Sequence, residues 1–292
     1  MNNPITLIVG PTATGKSTWA LNEAVKNKGE ILNADSVQIY KYLDIGSAKP
    51  SREEQGRVPH HLFDLVEPSQ LFTAGDYRRE ALKIIEERLA EAPLYIVGGS
   101  GFYIQALEKG MYPVQPISSS IKAEVDEIVK NGELFSKIQS VDPKTAQKNG
   151  PNDHYRNRRA LEVSLSEGRP FSQIESDFAA AKNSLGDRFT LKKIGLNLDR
   201  VVLRERVAKR VQMMLENGLL DEVQALIDRG FSDTRALSSV GYRECVDHLA
   251  GRLKYDELAP LIVTSTMQLA KRQANWFKRD REISWISSAN LD

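Results

Sequence analysis

Residues 10–17 read GPTATGKS, a full match to the phosphate-binding loop G-x-x-x-x-G-K-[S/T]. This pattern constrains the fold because it works only between a buried strand and a helix. Glycines let the backbone close into a nest of N–H donors, and the positive end of the following helix faces the same anion. The flanks meet both needs. Ile5–Val9 is a short apolar run, and a helical pattern extends from Lys16 to about Lys28. The motif therefore assigns phosphate contacts to the loop Gly10, Pro11, Thr12, Ala13, Thr14 and Gly15, with Lys16 neutralising charge. Ser17 is the expected ligand of a Mg2+ ion bridging the phosphates.

The rest of the chain extends this frame. Glu30–Ala34 reads as a second strand delivering Asp35, and residues 60–66 as a third. A helix is expected from about Ala74 to Ala90, then a buried strand Leu94–Val97 ending in Gly98-Gly99-Ser100-Gly101. Strands alternating with helices predict a parallel sheet covered on both faces, with ligands beyond the carboxyl ends of the strands. Near residue 112 the character changes. YPVQPISSS reads as a linker, and residues 121 to about 178 are helical with little strand signal. Phe189–Leu198 returns to a strand, followed by helices at about 200–217, 218–229 and 255–279 and a last strand at Glu282–Ile286. The expected fold class is α/β, a P-loop NTPase-like parallel sheet core (1–116 and 187–292) with a helical insertion domain (117–186).

Composition narrows the setting. One cysteine, Cys245, excludes an internal disulfide and a cysteine zinc cluster, and suits a reducing cytoplasm. The N-terminus lacks a signal-peptide pattern and no apolar run is long enough to span a bilayer. Nothing in the pattern demands a dimer, so a monomer is expected. Net charge is only +1, yet residues 188–210 hold basic side chains in large excess over the two acids Asp199 and Glu205. Such a stripe is either a solvated helix face or a surface for a polyanion.

Two features decide what the loop does. An ATP-hydrolysing motor ends an apolar strand in a magnesium-binding acid. Here the best buried strand ends in GGSG, and no guanine-reading NKxD motif occurs. Asp35, at the end of the second strand and expected next to the phosphate loop, is placed to accept a proton from a group attacking a phosphate-bound electrophile. Alternatively it caps the turn that follows with Ser36.

The blocks GPTATGKS, NADSVQIYKYLDIGSAKP (33–50), HHLFDL (60–65), GGSGFY (98–103), DHYRNRRALE (153–162), VGYRE (240–244) and QLAKRQANWF (268–277) occur in the order found in tRNA dimethylallyltransferases. The chain resembles that family over most of its length and, ending at Asp292, looks like its short bacterial form. Phe102, where an aliphatic residue is common, is the one departure. The resemblance implies transfer of a dimethylallyl group from dimethylallyl diphosphate to the exocyclic amine of the adenine just 3′ of the anticodon, in tRNAs reading codons that begin with U. It implies that Asp35 accepts the amine proton. It also implies that Asp35, Ser36, Val37 and Gln38 touch the target nucleotide and that Ser100 contacts the tRNA near the reaction centre. Arg156, Arg158 and Arg159, on one predicted helix beside His154 and Tyr155, then become contacts to the anticodon stem-loop. Arg206 and Arg210, and Arg272 and Gln273, are expected near the active-site mouth as further tRNA contacts. Competing readings are an adenylate isopentenyltransferase acting on free AMP, ADP or ATP, a phosphate-loop small-molecule kinase, and a non-enzymatic RNA-binding module.

Overall fold

The computed structural model describes residues 3–111, 117–180 and 184–290. Six parallel strands form one sheet in the order β3-β2-β4-β1-β5-β6. The strands are β1 (Ile5–Val9), β2 (Glu30–Asn33), β3 (His60–His61), β4 (Leu94–Val97), β5 (Leu191–Asn197) and β6 (Ser284–Ser287). Every residue of β1, β2 and β4 is buried, as expected where both faces of a parallel sheet are covered. β1 is central, pairing Ile5 with Leu94 on one side and with Leu191 on the other.

Helices then build outward. On α1 (Lys16–Asn27), Ala20, Leu21 and Ala24 pack with Ile8, Ile31, Tyr95 and Val97. α2 (Arg52–Arg57) and α3 (Ala74–Arg88) each open with a capping box, Ser51 with Glu54 and Thr73 with Asp76. α4 is Gly101–Lys109, and its Tyr103 ring stacks on Tyr77 of α3 at 4.4 Å. The buried Glu30 of β2 is neutralised by Arg88 (2.6 Å) and His61 (2.8 Å). The Arg88 bonds hold its carboxyl below the usual range against the pull of burial.

By contacts the chain divides into two compact units, one of residues 1–108 with 188–292 and one of Lys109–Asp187. Among its described residues the second is all-helical: α5 (Ser119–Lys130), α6 (Leu134–Val141), α7 (Pro143–Asn149), α8 (His154–Glu167) and α9 (Phe171–Ala180). Its core joins Val125, Leu134, Ile138, Ala146, Ala160 and Leu161. Buried Asp142 caps α7 through Thr145 and also takes the N–H and hydroxyl of Ser172. The linker expected at 112–120 lies partly outside the described residues. Its end is not linker, because Ser118 caps α5 and Ser119 and Ser120 are already helical.

The first unit closes with α10 (Arg200–Glu216), α11 (Leu219–Asp228), α12 (Tyr242–Leu249) and α13 (Tyr255–Phe277). The strand expected over 60–66 shrinks to two residues, since Leu62 (φ 65°) and Asp64 (φ 52°) adopt left-handed backbone that no strand accommodates. α2 and α12 escape the sequence pattern because they are short. α2 buries no side chain that would give it a period.

Candidate active site

The phosphate loop leaves β1 as predicted. α1 begins after Gly15 (φ 82°), with no side chain capping its N-terminus and no acid in its first turn. The first-turn amides, which a helix cannot satisfy internally, are left for an anion. Thr14 Oγ1 donates to the Pro11 carbonyl at 2.9 Å, bracing the loop from within. Lys16 folds into the same loop, its Nζ donating to Pro11 O at 2.5 Å. Burial pulls its pKa down to about 7, opposed by the nearby Asp35 carboxylate and aided by Arg210. The Ser17 side chain is exposed on the first turn of α1.

Asp35 does not sit on the strand beside the loop. β4 intervenes between β1 and β2, so the GGSG turn lies between the two. The turn is stitched to β2: Ala34 N–H donates to Val97 O (2.7 Å), Ser100 N–H to Ala34 O (3.3 Å) and Ser36 N–H to Ser100 Oγ (2.8 Å). A Cβ on Gly98 would lie 2.0 Å from Ala34 O, so this approach requires glycine. Asp35 takes the Val37 N–H on Oδ1 at 2.8 Å, and its own N–H donates to Asn33 Oδ1 at 2.9 Å. The turn-capping reading of Asp35 is therefore present, and it uses one carboxylate oxygen. The same carboxylate acts electrostatically on Lys16 and on Arg210.

The structure gives Gln273 a structural job that its sequence block does not announce. Its Oε1 accepts the Thr12 N–H at 2.8 Å and its Nε2 donates to Gly99 O at 3.1 Å, so one side chain clamps the phosphate loop to the GGSG turn. A Cβ on Gly99 would collide with this amide at 2.3 Å. Arg272, its neighbour, is exposed. On α10, Arg210 lines an open 610 Å³ cavity with Lys49, Met213 and Met214, and desolvation holds its guanidinium below the ordinary range. Arg206 Nη1 comes within 3.9 Å of where a Gly15 Cβ would sit, one turn of α10 before Arg210.

The arginines of α8 differ. Arg156 pairs with Asp153 (2.9 Å), Arg158 with Asp126 (2.7 Å) and Glu162 (3.0 Å), and Arg159 with Glu162 (3.3 Å). Beside them Tyr155 is 76% exposed. Sequence reading also missed Glu222 and Tyr242, which bind the 44–47 backbone. Only the VGYRE block, which contains Tyr242, hinted at them.

Among the described residues no cluster of three or more His, Cys, Asp or Glu is arranged to hold a metal ion. A phosphate loop on the central parallel strand, with a buried lysine, and an acid two strands away suit a transferase that works on a phosphorylated donor. The IPP transferase family model matches residues 38–280. The tRNA dimethylallyltransferase of Bdellovibrio bacteriovorus is 46% identical over 98% of this chain and 94% of its own, and that of Thermotoga maritima 38% identical over 97% and 92%. The full-length tRNA isopentenylpyrophosphate transferase structure from Bacillus halodurans covers 99% of this chain and 91% of its own, at 32% identity and TM-score 0.72. A eukaryotic dimethylallyltransferase structure shares the fold at TM-score 0.85 and 24% identity, covering 99% of this chain and 75% of that one. The chain belongs to the tRNA dimethylallyltransferase family and is a prenyl-transferring enzyme.

Proposed function

We propose that this enzyme moves a dimethylallyl group from dimethylallyl diphosphate to the exocyclic amine of the adenine just 3′ of the anticodon, in tRNAs reading codons that begin with U. The observation that carries the reading is the uncapped phosphate loop on β1 with Asp35 at the end of β2 and the GGSG turn stitched between them. The diphosphate oxygens take the open amides of residues 13–17, and Lys16 moves its Nζ from the Pro11 carbonyl to the phosphate. As the allylic C–O bond breaks, negative charge grows on the bridging oxygen, where preorganised donors stabilise it most. The adenine nitrogen bonds to the released carbon, diphosphate leaves, and the amine proton passes to the free oxygen of Asp35.

A Mg2+ ion fits this donor set. Mg2+ keeps several waters and is held by substrate phosphates with one or two protein oxygens, and Ser17 offers one such hydroxyl. When bound, it neutralises charge on the leaving diphosphate. A base stacked in an anticodon loop cannot reach these residues, so the adenine is flipped out of the stack. Ser36, Val37, Gln38 and Ser100 meet the flipped nucleotide, Arg206, Arg210 and Arg272 meet nearby phosphates, and Arg156, Arg158 and Arg159 meet the anticodon stem-loop. We assign the action to a single chain in the cytoplasm. Among the described residues no helix is long and apolar enough to cross a membrane.

Incubation with dimethylallyl diphosphate, Mg2+ and unmodified tRNA is expected to give prenylated adenosine by mass spectrometry. Prenylation of free AMP in preference to tRNA, or of no tRNA at all, would overturn the reading.

A further inference from the structure

Glu222, on α11, binds a run of backbone. Its carboxylate accepts the N–H of Asp44 (3.1 Å), Ile45 (2.8 Å) and Gly46 (3.2 Å), and the Tyr242 hydroxyl at 2.6 Å. That hydroxyl in turn accepts the Ser47 N–H at 3.2 Å. Tyr242 is fully buried, and burial with the adjacent Glu222 raises its pKa well above the ordinary phenol value, so it stays a donor. A Cβ on Gly46 would lie 2.5 Å from the Tyr242 ring, so this closure needs glycine at that position. Four successive amides, 44 to 47, thus point to one carboxylate–phenol pair.

On the other side of the loop the carbonyls of Ser47 and Ala48 both accept from Gln38 Nε2, each at 3.0 Å. Carbonyls only accept, so the amide nitrogen of Gln38 must face them and the group cannot flip without losing both bonds. Its two N–H donors are spent. Among the described residues no donor reaches its Oε1. Gln38 stands one residue after Val37, whose N–H binds the Asp35 carboxylate.

An unpinned glutamine presents a donor or an acceptor with equal ease. A pinned one presents a single polarity, and a site built on one polarity rejects the wrong partner because a buried group is left unpaired. We propose that Glu222 is a positioning residue for substrate choice: through the 44–48 loop it fixes Gln38 as an acceptor-only reader of the target nucleotide, favouring a base that carries an N–H donor over one with a carbonyl at the same place. The proposal rests on the prenylation of an adenine amine argued above, and extends it from the transferred group to the discrimination of the base.

The test uses the full chain with Glu222→Gln, Gln38→Ala and the double variant. The readouts are KM for an adenine-bearing anticodon stem-loop, Ki for the same stem-loop carrying hypoxanthine, and Kd for inorganic diphosphate. Glu222→Gln is expected to lower the Ki/KM ratio about tenfold, with diphosphate affinity unchanged. In the Gln38→Ala background it should add nothing. Effects that multiply in the double variant, or an equal loss of diphosphate affinity, would overturn the relay. Side-chain amide exchange of Gln38 by NMR reads the pinning without any RNA: slow in the wild type, fast in Glu222→Gln, with unchanged protection overturning the proposal. If Glu222→Gln does not fold, Tyr242→Phe, which removes only the hydroxyl, is expected to speed the exchange and lower the ratio in the same direction. A wild-type enzyme that prenylates no tRNA would refute the activity, and the exchange measurement would still decide the pinning.

Discussion

The catalytic unit and the helical unit treat their cations in opposite ways. In the first, Lys16 is buried with its Nζ on a carbonyl, and Arg210 is desolvated with only the Asp35 carboxylate pulling the other way. In the second, Arg156, Arg158 and Arg159 are solvent-facing and each is paired with an acid. Burial makes the first set costly to charge and strong when an anion arrives. Pairing makes the second set inexpensive to keep and weak until a phosphate displaces a carboxylate. One arrangement suits a small, highly charged leaving group. The other suits a large polyanion that must bind and let go.

The largest expected effect lies on the acid facing the buried set. Asp35→Ala should lower turnover roughly 100- to 10,000-fold, the span of a lost general base. Binding of tRNA should change little, because the variant leaves the solvent-facing arginines untouched. Equal losses in turnover and in tRNA affinity would mean that Asp35 holds the RNA rather than takes its proton.

Lys16 tests the buried set directly. Its pKa near 7 leaves it largely neutral at pH 8 before an anion binds. A bound diphosphate favours the charged form, so binding at pH 8 should take up a proton, and binding at pH 6 should take up almost none at this residue. Calorimetry in buffers of different ionisation heat measures the uptake, and Lys16→Met, subtracted, removes the ligand's own titration. The same variant should weaken diphosphate binding about 10- to 100-fold, the loss of one hydrogen bond to a charged group. Uptake at pH 8 that survives in Lys16→Met would show that the lysine is charged from the start.

Within the helical unit the comparison extends to stability. Burial alone would raise the Asp142 pKa, yet the bonds from Ser172 and Thr145 hold it below the ordinary value. A carboxylate depressed on folding stabilises above its unfolded pKa and loses that contribution as pH falls through the folded one. Asp142→Asn should therefore cost about 1–3 kcal/mol at neutral pH and progressively less below about pH 4, read from urea melts across pH. A constant difference down to pH 2 would show that geometry, not charge, is what Asp142 supplies.

Where the local pattern sets the chemistry, sequence was enough. GPTATGKS carries its own geometry, and short strands alternating with helices announce a parallel sheet. What could not be read is long-range pairing. Nothing in QLAKRQANWF says that Gln273 reaches back to Thr12 and Gly99, because a helix exposes its period and not its partner. The same holds for Glu222, whose three backbone amides lie far away in the chain. The position of β4 between β1 and β2 was also hidden, since strand order is a property of the folded sheet. Of the acids that hold Arg158, Glu162 lies one turn on in the same helix, but Asp126 is on another helix and is set by packing.

The smallest effect is the one that separates the two units most cleanly. Arg158→Ala should change stability by only about 1 kcal/mol, because Asp126 is exposed and the buried Glu162 keeps Arg159 as its partner. If Arg158 trades its carboxylates for a phosphate, the same variant should weaken tRNA binding evenly across tRNAs and make the salt slope shallower by about one. The acid side then gives the opposite sign. Glu162 holds both Arg158 and Arg159, so Glu162→Gln removes the competitor and should tighten tRNA binding while leaving diphosphate affinity alone. Titrations of both variants from 50 to 200 mM salt decide the matter. Two variants that weaken binding alike would mean that the ion pairs hold the helix in shape and that the phosphate contacts lie elsewhere. Opposite signs would show that the helical unit stores its positive charge in exchangeable pairs, unlike Lys16, whose charge burial suppresses until an anion arrives.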